Sequence, residues 1–247
     1  MTNRPDDGSP AAIHADHHAD VSGGWLRAAV FGASDGLVSN FALIAGVVGG
    51  ATAAVGDASI TSLVILTGLA GLFAGAFSMA TGEWVSVRTQ NEMVHRELQY
   101  EADELRINTE AETAELAGWF ADHGVDPDLA LQVSSQISAD TESALRIHAR
   151  AELGLDPDSL PSPWVAASSS FAAFAIGAIL PIVPFLFGAS SLTPAAAAAA
   201  AGMFAAGALA SLVTTQPWWF SGLRQLGLGA AAAMVTFWVG SLVGGSV

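Results

Sequence analysis

The sequence predicts an all-α, polytopic membrane protein with five transmembrane helices and a cytoplasmic helical metal-binding domain between helices two and three. Three observations carry the membrane architecture. Hydrophobic residues make up 52% of the chain and charged residues only 13%, whereas a soluble domain carries about 25% charged residues. The charge is segregated: sixteen of the 23 acids and five of the eight arginines fall between positions 88 and 163. Outside that stretch lie five apolar runs, each near the length of about 20 residues that a helix needs to cross a bilayer.

The elements follow in order. Residues 1–22 read as a disordered polar tail. It lacks the basic flank and short apolar core of a signal peptide. Its His14, Asp16, His17, His18 and Asp20 are either a weak metal-binding cluster or inert. The unit 23–87 holds the first two spans, at 25–50 and 60–87, joined by a short loop at 51–59. The excursion 88–163 reads as amphipathic helix in water, with apolar positions such as Leu98, Leu105, Ala117 and Phe120 at helical spacing. Asn108 and Thr109 mark a break, and Thr109 with Glu112 fits a capping box. Gly124 to Pro127 is a second break, and one further helix is expected over 127–153. Gly154, Pro157, Pro161 and Pro163 end the excursion. The unit 164–247 holds spans three to five, at 164–187, 192–214 and 220–243, with Pro181 and Pro184 expected to kink the third.

Arginine placement sets the expected orientation. With the N-terminus in the cytoplasm, Arg4, Arg27, the whole excursion and the turn before Arg224 face inward. The two outer loops then hold no basic residue. Tryptophans 25, 84, 164, 218 and 219 fall near span ends, where amphipathic rings anchor helices. A bacterial inner membrane suits a short chain whose basic residues are all arginine. Spaced glycine pairs (32/36, 46/50, 71/75 and 240/244) suit close helix packing, within the chain or between two copies.

Composition also excludes. There is no cysteine, so disulfides, thiolate zinc sites and iron–sulfur clusters are out. A net charge of −15 argues against nucleic acid and suits cations. A metal site must use carboxylates, imidazole, thioether or carbonyl groups, which favours harder divalent ions. No enzyme and no organic cofactor are expected.

The candidate residues fall in two groups. In the first span, Asp35 lies about 15 Å along the helix. It is either a cation or proton site, since intramembrane acids default to function, or a protonated side chain bonded to Ser34 or Ser39. Asn40 offers a carbonyl ligand just over one turn away. In the second span, Met79 is a soft ligand or simple packing. Glu83, on the same face, is a relay toward the cytoplasm or an interfacial acid. In the excursion, Glu97, Glu101 and Glu104 share one helix face, Glu112 and Glu115 another, and Glu152 has His148 one turn before it. Such stacking of carboxylates invites a divalent counter-charge. The alternative is a solvated acidic face, with Glu112 serving only its capping box.

The residues resemble the vacuolar iron transporter family. The resemblance is carried by Ser34-Asp35-Gly36-Leu37, by Gly75-Ala-Phe-Ser-Met79-Ala-Thr-Gly-Glu83 and by Glu110-Ala-Glu112-Thr-Ala-Glu115. It continues through Ala151-Glu152-Leu-Gly-Leu, Gly177-Ala-Ile-Leu-Pro181 and Phe220-Ser-Gly-Leu-Arg224-Gln. The ordered set runs from about residue 25 to the end. It implies a homodimer that exports Fe²⁺, often also Mn²⁺, from the cytoplasm in exchange for protons. It implies that Asp35 and Met79 are pathway ligands, and that Glu101, Glu104, Glu112, Glu115 and Glu152 collect metal. A family glutamate falls here on Gly71, and paired family methionines fall on His148 and Ala149. Two rival readings remain: a membrane-anchored metal-binding or storage module, and a metal-gated channel without proton coupling.

Overall fold

The computed structural model describes residues 24–51, 57–211 and 215–245. The N-terminal histidine and aspartate cluster lies outside them. The regular structure among the described residues is all helix, without a strand. Five helical stretches are long and apolar enough to cross a membrane.

Helix α1 (Gly24–Ala51) is the central element. It packs along α6 (Pro163–Ile179), along α9 (Trp218–Gly244) and, less extensively, along α2 (Asp57–Ile107) and α8 (Leu192–Ala210). Two apolar clusters result. Ile44 and Val48 of α1 meet Val64, Leu72 and Ala76 of α2 and Phe174 and Ala178 of α6. Leu37, Phe41 and Ala45 of α1 meet Ala199 and Met203 of α8 and Ala233 of α9.

The glycine pairs act inside the chain. Gly46 and Gly50 of α1 lie against Gly240 and Gly244 of α9 so closely that a Cβ on Gly240 would overlap the Gly46 carbonyl. Small residues let two backbones approach in this way.

Helix α2 passes through position 87/88, where the hydropathy changes, without interruption. It is one helix of 51 residues, so its apolar half runs without a break into its charged half. The reason lies in the sequence: from Glu83 to Ile107 there is no glycine or proline. An i,i+4 pair, Arg88 to Glu92 at 2.6 Å, adds support where the chain turns polar. The expected loop at 51–59 is shorter, since Ala51 and residues 57–59 are helical.

The acidic excursion folds back on the end of α2 through three short helices. These are α3 (Thr109–Asp122), α4 (Pro127–Ser138) and α5 (Thr141–Glu152). The capping box expected at Thr109 and Glu112 does not form. The N-cap is Asn108, Thr109 Oγ1 donates to the Leu105 carbonyl at 2.8 Å, and Glu112 turns inward. Gly124 (φ 91°) and Gly154 (φ 63°) follow α3 and α5 in the left-handed conformation that glycine adopts most freely. The single helix expected over 127–153 is divided. Asp140 accepts from the Ser143 N–H at 3.2 Å and starts a new helix there.

The third span is also interrupted. Helix α6 ends at Ile179, and a separate turn α7 (Val183–Leu186) follows. Pro181 and Pro184 cannot donate N–H groups to an α-helical ladder, so the segment breaks instead of kinking.

A candidate metal centre and a membrane pocket

The acidic helices converge on one imidazole. Glu101 comes from α2, Glu112 from α3, and His148 and Glu152 from α5. One ligand atom from each lies within 4.8 Å of the others. His148 is fully buried. Its Nδ1 stands 2.9 Å from Glu152 Oε1, 3.1 Å from Glu101 Oε1 and 3.8 Å from Glu112 Oε2. An imidazole nitrogen carries at most one proton, so it cannot satisfy three carboxylates. Glu101 Oε1 is left buried without a hydrogen bond, and so is His148 Nε2.

The electrostatics agree. Burial pushes the Glu101 carboxyl above the usual glutamate range, and the nearby Glu152 charge adds to the rise while His148 opposes it. Burial likewise raises Glu112, with Glu115 as the next cause. Carboxylates forced together out of water hold protons or a cation. Opposed oxygen ligands on one divalent ion lie about 4–5 Å apart, so the spacing fits such an ion with small adjustments.

The other predicted acids stand around this group. Glu104 is half-buried and accepts from Asn108 Nδ2 at 2.8 Å. It also takes the Tyr100 hydroxyl, whose pKa its charge raises. Glu115 is exposed yet close enough to raise both Glu112 and Glu101. Glu97 is exposed and lies outside the four-residue group.

Most of the candidate residues in the first two spans line a pocket. Asp35, Ser39, Asn40, Gly71, Ser78 and Met79 line a cavity of about 260 Å³ between α1, α2 and Phe174 of α6. Ser39 Oγ donates to the Asp35 backbone carbonyl at 2.6 Å, not to its carboxylate. Asn40 is buried. Its Nδ2 donates to the Ala178 carbonyl at 2.6 Å, while its Oδ1 has no hydrogen-bond partner. A Cβ on Gly71 would stand 2.8 Å from that oxygen and 2.6 Å from Leu43 Cδ2. The wall at Gly71 is therefore shaped by Asn40 and Leu43, and a longer side chain there needs both to move. Met79 lines the cavity and also packs on the α1/α2/α6 core.

Glu83 does not line this cavity. It is buried and paired with Arg27 of α1, whose Nη2 stands 3.1 Å from Oε2 and 3.4 Å from Oε1. Sequence reading took Arg27 only as a marker of sidedness. Antiparallel register could have found it: eight residues from Asp35 back to Arg27 match eight residues from Gly75 on to Glu83.

Comparison with known proteins gives a consistent picture. Residues 26–241 match the model of the VIT family. A vacuolar iron transporter of Acanthamoeba castellanii is 38% identical over 174 residues, covering 70% of this chain and 60% of that relative. Vacuolar iron transporter 2 of Oryza sativa subsp. japonica is 30% identical, covering 70% of this chain and 68% of its own length. Vacuolar iron transporter 1 of Arabidopsis thaliana is 32% identical, covering 69% and 67%.

Proposed function

The chain belongs to the VIT family, and from that premise we propose that it moves a divalent metal ion, Fe²⁺ or Mn²⁺, out of the cytoplasm in exchange for protons. The observation that carries this reading is the unequal count at His148, where one proton faces three carboxylates. A divalent ion satisfies all four groups at once. The relatives are iron transporters; a donor set of three carboxylates and one imidazole accepts Mn²⁺ as well.

In this reading the acidic domain lies in the cytoplasm and gathers metal at Glu101, Glu112, His148 and Glu152, with Glu104 and Glu115 raising the local negative potential. The ion then enters the membrane pocket, where Met79 offers a thioether, Asp35 a carboxylate and Asn40 Oδ1 a carbonyl. Asp35 is the one carboxylate on the cavity wall. It therefore releases a proton to water as the ion binds and regains one from the far side when the ion leaves. Ser39 and Ser78 on the pocket wall are exposed, and we read a homodimer as the arrangement that covers them.

The test is Fe²⁺ and Mn²⁺ flux into proteoliposomes of purified protein carrying an internal pH dye. Metal uptake that moves with protons and stops in Asp35→Asn supports the reading. Metal binding lost in Glu101→Gln and Glu112→Gln, with no flux in the unaltered chain, makes it a tethered binding module instead.

A further inference from the structure

We propose that Arg27 is a tethered cation that occupies Glu83 between passages, and that it sets the preference for divalent over monovalent ions at the entrance to the membrane pocket. This rests on reading the pocket as an ion path. Glu83 lies one helical turn, about 6 Å, beyond Met79 toward the acidic domain. Arg27 lies about 12 Å before Asp35 on α1. The pair thus bridges the same two helices that wall the pocket, on the side from which an ion leaving the acidic domain arrives.

The two partners are unequal. The Glu83 side chain is 10% exposed and that of Arg27 is 66% exposed. Arg27 can swing away from the pair without disturbing the packing, whereas Glu83 is held in place by its surroundings. A buried carboxylate stripped of its partner is strongly unfavourable, so Arg27 leaves Glu83 most readily when another cation takes its place. Tethering keeps the guanidinium at an effective concentration of about millimolar or above. A monovalent ion brings no more charge than Arg27 and has no tether, so it loses the competition. A divalent ion brings twice the charge and displaces it. The return of Arg27 to Glu83 then drives the ion onward to Met79. The neighbouring Arg88 is engaged by Glu92 at 2.6 Å, one turn further along.

The experiment uses the full chain in two formats. Mn²⁺ binding in detergent is counted by electron paramagnetic resonance of the free ion, and Mn²⁺ and Na⁺ fluxes are measured in proteoliposomes. Arg27→Gln is expected to bind one additional Mn²⁺, to lower the half-saturating Mn²⁺ for flux by about tenfold, a shift of about 1.4 kcal/mol, and to admit Na⁺. Arg27→Gln with Glu83→Gln loses the additional ion. Arg27→Lys, a point charge without the planar fork, falls between and keeps the test open should Arg27→Gln fail to fold. Mn²⁺ binding and Na⁺ exclusion unchanged from the parent in either folded Arg27 variant overturn the proposal. An additional Glu83-dependent Mn²⁺ in a chain that carries no flux upholds the competition and overturns the transport reading instead.

Discussion

His148 Nδ1 and Glu101 Oε1 stand 3.1 Å apart, yet Glu101 Oε1 has no hydrogen bond. Nδ1 stands closer to Glu152 Oε1, at 2.9 Å. Replacing His148 by alanine removes a candidate ligand and leaves three carboxylates facing one another. We expect Mn²⁺ affinity to fall by at least about tenfold, comparable to losing a partner of a metal ligand. Glu97→Gln, outside the group, should leave affinity unchanged. Titration calorimetry of both variants checks this.

Acid should weaken the same centre earlier than it weakens free carboxylates. Glu101 and Glu112 are raised on folding, first by burial. A raised carboxyl holds its proton more tightly in the folded chain. Its contribution to stability is therefore present at low pH and lost as pH climbs through the raised value. Metal must expel that proton. We expect affinity to begin falling above the usual glutamate range as pH is lowered, while the metal-free excursion gains stability over the same window. Metal titrations and melts at stepped pH decide it; affinity flat down to the usual glutamate value contradicts the assignment.

In the pocket, Asp35→Asn should abolish metal flux while leaving the number of ions bound by the acidic domain unchanged. The two sites are far apart on α2, so loss of one need not unfold the other. Retained flux in sealed vesicles would remove Asp35 from the path.

At the α1–α9 contact, Gly240→Val forces a branched side chain against the Gly46 backbone. Backbone cannot step aside as a flexible side chain can. We expect a loss of about 1–3 kcal/mol, the usual range for overpacking, read as a lower melting midpoint in detergent. Gly82→Ala, whose Cβ meets nothing nearby, is the matched control and should be neutral or slightly stabilising.

Much of this was legible in the sequence, for physical reasons that also mark where legibility ends. Apolar runs of bilayer length announce spans, because lipid tolerates little else. The division at 87/88 was a change of hydropathy, which says nothing of backbone continuity. Without glycine or proline, α2 continues through it. Pro181 announced an irregularity, but whether a helix kinks or breaks depends on its packing. His148 and Glu152 were readable as neighbours one turn apart. Their meeting with Glu101 and Glu112 requires three helices to fold together, and helix spacing cannot say which acids on a face arrive. Glu97, Glu101 and Glu104 share a face, yet Glu101 alone of the three joins the group. Glu83 was readable as facing the side of Met79, but its pairing with Arg27 needed the register of α1 against α2.

The unbroken length of α2 has a mechanical consequence. Met79 and Glu101 sit on one rod, about 33 Å apart along its axis. Such a rod is a lever arm: a swing of about 2° at Met79 carries Glu101 sideways by about 1 Å, enough to open or close the ligand distances of a metal site. On the proposed reading, an ion that draws Glu101 sideways would tilt the pocket wall at Met79, so the rod would couple the two candidate sites through stiffness.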